Sequence, residues 1–236
     1  MKNITLLALD TSTEACSVAL WHKGEKTYLD ELAQRTHTKR ILPMVDELLA
    51  NSGINLKQVD ALAFGRGPGS FTGVRVGAGI AQGLALGADL PVIAVSNLTA
   101  MAQAAFELHQ AENVAATIDA RMNEVYFSQV KREKVQSVFG EFFQWSPVIE
   151  EQVCQPEKVL EQFSDLTAYR VGTGWAAYPQ FKDSGLEGSD IILPSAQYML
   201  ELALTDYAQN KVISALEIEP VYLRNEVTWK KLPGRE

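Results

Sequence analysis

The sequence is poor in the residues that staple or arm a protein. Of its 236 residues only Cys16 and Cys154 are cysteines, far apart and without CxxC spacing, which excludes a disulfide framework. The three histidines, His22, His37 and His109, form no HxxxH or HExxH, so no dedicated zinc site is expected. No GxSxG is present, which excludes an α/β-hydrolase nucleophile. The glycine-rich loop after Phe64 fails both phosphate fingerprints: Ser70 stands where GxGxxG needs its last glycine, and no Gly-Lys-Ser/Thr follows. Positive charge is also in deficit, with 21 Lys and Arg against 29 Asp and Glu, a net charge of −8. Residues 1–118 account for −2 of it and residues 119–236 for −6. An acidic chain repels phosphate backbones, so contact with nucleic acid requires a more basic partner. Long apolar runs are missing as well. The stretch from Leu84 to Val95 is broken by Asp89 and Pro91, and Asp10 comes too early for a secretory signal, so a cytoplasmic location is expected.

What remains is an ordinary globular composition, 47% hydrophobic and 21% charged. A chain of this length buries roughly 70% of its unfolded surface and needs no metal to hold it together. Ile4 to Asp10 is a continuous apolar run ending on a carboxylate, the mark of a buried strand. The polar turn Thr11-Ser12-Thr13-Glu14 leads to two more strands, Cys16 to Trp21 and Thr27 to Leu32, split by Lys23-Gly24. From His37 to Ala50 the period becomes helical, with Ile41, Leu42, Val45, Leu48 and Leu49 on one side and Asn51-Ser52-Gly53 as the stop. A strand from Val59 to Phe64, a helix from Thr72 to Gly87 and a strand from Pro91 to Val95 follow. Ser96 or Asn97 then caps a helix to His109.

The second half repeats this opening. Ala115 to Asp119 is again an apolar strand ending in Asp, followed by a polar turn at Ala120 to Asn123. Strands at Glu124 to Val130 and Val135 to Trp145, a helix at Glu157 to Phe163, a strand at Tyr169 to Gly172 and a helix at Ser195 to Gln209 complete it. Two βββαβα halves, residues 1–112 and 113–236, imply a duplicated α/β fold with a cleft between lobes. At such a cleft the turns Asp10-Thr11-Ser12 and Asp119-Ala120-Arg121 have the chemistry to hold a phosphate and Mg²⁺. The plainer alternative is that each Asp only closes an Asx-type turn.

The helix from Thr72 to Gly87 is the oddest segment. It contains Gly73, Gly77, Gly79, Gly83 and Gly87, and each interior glycine costs about 1 kcal/mol against alanine. Close backbone approach is the usual compensation. At 100° per residue Gly79, Gly83 and Gly87 form one stripe, and Gly73, Gly77, Ala81 and Ala85 another beside it. A helix apolar nearly all round needs cover on nearly all sides. The cover is either another element of this chain or a partner subunit.

With these residues in view the chain resembles the TsaB (YeaZ) family, a relative of TsaD within the glycoprotease-like (peptidase M22-like) superfamily. The resemblance rests on Leu9-Asp10-Thr11-Ser12, on the run from Gly65 to Gly77, on Asp119-Ala120-Arg121 with Glu124-Val125-Tyr126, and on Pro220 to Arg224. It implies an actin-like (sugar-kinase/Hsp70, or ASKHA) fold of two RNase-H-like lobes. It also implies a non-catalytic subunit needed for tRNA N6-threonylcarbamoyladenosine (t6A) formation, pairing with the transferase TsaD together with TsaE. The resemblance places Asn97 and Met101 where TsaD carries its two metal-binding histidines, so no metal is expected here. The adenosine loop of TsaD is reduced to Val171 to Trp175, which leaves Asp10, Thr11, Ser12 and Asp119 as vestigial nucleotide-binding candidates. No cofactor is expected, ATP and Mg²⁺ belonging to TsaD and TsaE. The rival reading is an actin-fold ATPase or phosphotransferase using Asp10 and Asp119. TsaD is expected to dock on the face of helices His37 to Ala50 and Thr72 to Gly87, through Arg40, Met44, Arg75, Val76, Gly79, Ile80, Gly83 and Gly87. The same patch serves a homodimer when TsaD is absent. The basic tail from Arg224, with Lys230, Lys231 and Arg235, is a solvated end or a tRNA contact within the complex.

Overall fold

The computed structural model of the chain describes residues 3–33, 36–137 and 140–224. The first half builds a five-stranded sheet in the order β3-β2-β1-β4-β5, from β1 (Leu6–Asp10), β2 (Ala15–His22), β3 (Glu25–Leu32), β4 (Ala61–Gly67) and β5 (Val92–Ser96). Strands β1 and β4 pair in parallel, as do β4 and β5, while β2 runs antiparallel to both β1 and β3. The helices are α1 (His37–Asn51), α2 (Phe71–Ala88) and α3 (Asn97–His109). Side chains alternate across the pleat. Leu7, Leu9, Val18, Leu20, Leu62 and Phe64 face α1 and α2. On the opposite face Ala8, Ala19, Ala61 and Ala63 present small side chains.

The second half forms a four-stranded sheet, β8-β7-β6-β9, from β6 (Asn113–Arg121), β7 (Glu124–Ser137), β8 (Gly140–Cys154) and β9 (Tyr169–Val171). Four helices accompany it: α4 (Pro156–Gln162), α5 (Gly174–Ala177), α6 (Pro179–Asp183) and α7 (Ala196–Ala208). The repeat is visible in the hairpins. Lys23-Gly24 closes β2–β3 and Met122-Asn123 closes β6–β7, each pair with two positive φ angles, as a type I′ turn requires.

Two sequence expectations change. Val135 to Trp145 is not one strand but parts of two, since Ser137 pairs with Gly140 and Arg132 with Trp145 in a long β7–β8 hairpin. Polarity does not alternate cleanly along either arm, Lys131 to Lys134 being a charged run and Phe142-Phe143 an apolar pair, and no Asn-Gly or Asp-Gly announces the reversal. The second change concerns the lobes. The sheets divide between residues 112 and 113, but the closing helices cross over. Helix α7 lays Ala196, Met199, Leu200 and Ala203 on the alanine face of the first sheet. Helix α3 lays Leu98, Met101, Ala102 and Ala105 against Val114, Ala116 and Ile118 of the second.

The glycines of α2 separate as the two stripes predict. A Cβ on Gly73 would collide with the Thr11 carbonyl, and one on Gly77 would lie 2.9 Å from Thr11 Oγ1. Cβ atoms on Gly79, Gly83 and Gly87 would meet nothing within 4 Å. Replacing Gly79 or Gly83 by alanine should therefore stabilise the chain by about 1 kcal/mol, raising Tm by about 2–4 °C. Gly73→Ala should instead destabilise it by about 1–3 kcal/mol. Melting curves of the three variants followed by circular dichroism check this, and equal shifts for all three would refute the assignment of the two stripes.

Candidate functional site

Two features come forward: a cleft between the lobes and the outer face of α1 and α2. The cleft is about 690 Å³ and runs from the β1–β2 turn and the start of α2 to β6, with Val221 to Arg224 along one wall. Ser12 and Asp119 both line it, whereas Asp10 and Thr11 stand behind it.

Asp10 is 1% exposed and fully engaged. Its Oδ1 accepts from Asn97 Nδ2 at 2.8 Å and its Oδ2 from Ser12 Oγ at 3.0 Å. Asn97 Nδ2 also donates to Ser12 Oγ at 2.7 Å, and Asn97 Oδ1 accepts from the Gly67 N–H at 2.7 Å. Thr11 Oγ1 donates to the Gly73 carbonyl at 2.7 Å, and the Ser70 N–H donates to the Ser12 carbonyl at 2.7 Å. The turn thus faces inward, binding β1 to the starts of α2 and α3. Asp119 accepts from the Arg121 N–H and the Tyr178 hydroxyl, both at 2.9 Å, and pairs with Arg121 Nη1 at 2.9 Å. Each Asp closes a turn, and only Asp119 meets the cleft.

Asn97 and Met101 are both wholly buried, the first in the Asp10 network and the second in the core beneath α3. Among the described residues no group of three or more His, Cys, Asp or Glu is placed to hold a metal. In the second lobe Trp175 is 1% exposed, its Nε1 bonded to the Val171 carbonyl at 3.1 Å, and its ring packs in the core with Phe127, Phe163 and Phe181. Thr173 faces the cleft and accepts from the Asp119 N–H at 3.1 Å.

The docking residues divide. Gly79, Gly83 and Gly87 face open space, with Leu86 exposed among them. Val76 and Ile80 are half-buried. Arg40 is held by Glu31 of β3, with Nε to Oε2 at 2.8 Å. Met44 is a correction: it is wholly buried in the core with Ile41, Val45 and Leu48, on the inner side of α1. Exposed Leu42 is the apolar side chain that α1 offers instead. Arg75 turns to the cleft, its guanidinium 3.3 Å from the Phe71 ring centre and 4.7 Å from that of Tyr222.

Arg224 was read as the start of a solvated or tRNA-binding tail. It folds onto the β6–β7 turn instead, bonding the Ala120 carbonyl at 3.2 Å and pairing with Glu124. Lys230, Lys231 and Arg235 lie outside the described residues.

The comparisons with known proteins fit this architecture. Residues 26–217 match the family described as TsaD: tRNA N6-adenosine threonylcarbamoyltransferase. Over its full length the chain is 78% identical to the tRNA threonylcarbamoyladenosine biosynthesis protein TsaB of Haemophilus influenzae, covering all of that protein. The chain belongs to the TsaB family. The Escherichia coli protein of the same name is 50% identical, over 98% of this chain and 99% of its own. The solved structure of YeaZ from Pseudomonas aeruginosa superposes with a TM-score of 0.81 at 42% identity, covering 93% of this chain and all of that one. Its likeness establishes the actin-like, duplicated α/β fold.

The buried Asp10 supplies a pH prediction. Burial pushes its carboxyl up to about 6, against the hydrogen bonds from Asn97 and Ser12. A carboxyl raised in the folded state favours folding at low pH, and that contribution is lost as pH rises from about 4 to about 6. The penalty above that window is about 3 kcal/mol. Asp10→Asn can still bond both neighbours and removes the titration. In urea unfolding the stability of this variant relative to the parent should grow by about 1 kcal/mol or more from pH 5 to pH 8. A constant difference would contradict the assigned shift.

Proposed function

We propose that the chain is a non-catalytic subunit of t6A formation on tRNA, supporting a TsaD transferase together with TsaE. Membership of the TsaB family supports the pathway. The observation that supports a subunit role is the open glycine stripe on α2. Gly73 and Gly77 are accounted for by their contact with the β1–β2 turn, while Gly79, Gly83 and Gly87 weaken the helix with no compensating contact among the described residues. A bare helix surface beside Leu42 and Leu86 suits the close approach of another helix pair. In this reading TsaD presents the related pair and a pseudo-twofold contact forms, with the same patch open to a second copy of this chain when TsaD is missing.

ATP and Mg²⁺ are assigned to the partners, and the setting is the cytoplasm. The inward-facing Asp10 and the loop at Gly172 and Gly174, closely backed by Thr117, support this division, since neither offers a nucleotide its usual holds. tRNA reaches this subunit only within the complex, in keeping with its acidic surface.

Co-expression with TsaD and TsaE, followed by measurement of complex mass and t6A content of tRNA, tests the whole reading. Gly79→Leu and Gly83→Leu should leave the isolated chain folded, with a Tm at or slightly above that of the parent, while TsaD capture and t6A yield fall at least tenfold. A folded variant with unchanged capture would remove the docking face from consideration. Calorimetric titration of the isolated chain with Mg·ATP should give no micromolar binding, and turnover lost in Asp119→Ala would favour the ATPase reading.

A further inference from the structure

A second cavity, of about 230 Å³, lies away from the cleft, where the first sheet, α3, β7 and α7 meet. It holds the volume of roughly eight waters and falls below the usual range of about 300–1,000 Å³ for drug-sized ligands. Its roof is the part of the β7–β8 hairpin that overhangs β6, anchored to α3 by Trp145 Nε1 donating to Gln103 Oε1 at 2.9 Å. Trp21, Phe106 and Leu200 supply apolar wall, and four charged side chains enter: Lys26, Glu107, Arg132 and Glu201.

Two of these charges satisfy each other, Lys26 Nζ lying 2.7 Å from Glu107 Oε2. The other two do not. Arg132 is clamped between the rings of Phe106 and Phe143, 3.7 and 3.8 Å from their centres, and its side chain is only 13% exposed. Its only carboxylate within 4.0 Å among the described residues is the exposed Glu112, at that limit. Glu201 makes no ion pair among the described residues and stands at the mouth. Each of the two feels the other's charge across the gap without reaching it. The indole of Trp21 lines the cavity, its N–H closed off from water and without a hydrogen-bond partner among the described residues. Opposite charges separated by a small void suit a molecule that carries both charges.

We propose that this cavity binds a small zwitterion of the α-amino-acid class, its carboxylate toward Arg132 and its ammonium toward Glu201. Such a ligand would join both lobes through β7, α3 and α7, and would stabilise the fold by mass action.

The test follows the Trp21 indole resonance in ¹H–¹⁵N spectra of the full chain, assigned with Trp21→Phe. Each of the twenty common α-amino acids is added at millimolar concentration, with sodium propionate and propylamine as single-charge controls. At least one amino acid should shift the peak saturably and raise Tm, and neither control should. Glu201→Gln, on an exposed helix position, should weaken that binding at least tenfold, and Arg132→Lys, which keeps the charge but loses the fork, should weaken it as well. No shift with any amino acid would mean the cavity holds water only and would overturn the proposal. So would an equal response to propionate, which would make it a plain anion site, or undiminished binding by a folded Glu201→Gln.

Discussion

One buried carboxylate organises the first lobe. Asp10 ends β1 buried, and the hydrogen bonds that Asn97 and Ser12 donate to its two oxygens offset part of the cost of burying it. Asn97 in turn holds the loop after β4 through the Gly67 N–H, and Ser12 holds Ser70. A side chain on Gly65 would strike Asp10, one on Gly69 would strike Ser12, and one on Gly73 would strike Thr11. The glycine-rich loop therefore follows from the Asp10 network, and no phosphate is needed to explain it.

Much of this was legible in the residues. Apolar runs ending in Asp, repeated at residues 10 and 119, gave the duplication, and the wheel of α2 separated its buried glycines from its open ones. Met44 went wrong although the signal was present: three residues after Ile41 and four before Leu48, it belongs to the inner stripe of α1. The β7–β8 hairpin was unreadable because the charged run Lys131 to Lys134 and the pair Phe142-Phe143 break the period of two, and no turn signature marks the reversal. The Arg224 anchor was equally hidden, since an arginine a hundred residues away carries no local mark of the Glu124 it will meet. The exchange of α3 and α7 was invisible in principle. An amphipathic helix records that one side is covered, not which sheet covers it.

Helix α2 serves two surfaces. Its first turn, with Phe71 and Arg75, forms part of the cleft wall, and its open glycines lie farther along on the outside. Its N-terminus is capped by Ser70 Oγ, which accepts from the Gly73 N–H at 3.0 Å. Cleft rim and outer face are thus parts of one rigid rod, seated on the β1–β2 turn.

The crossed helices also set the order in which the chain can become compact. The alanine face of the first sheet is complete once β5 has left the ribosome, but its cover, α7, is made only roughly a hundred residues later. At about 5–20 residues per second that is a delay of roughly 5–20 s. During it Leu6, Ile93 and Val95 have no native partner on α7. A nascent chain of this protein must wait, half-roofed, for α7.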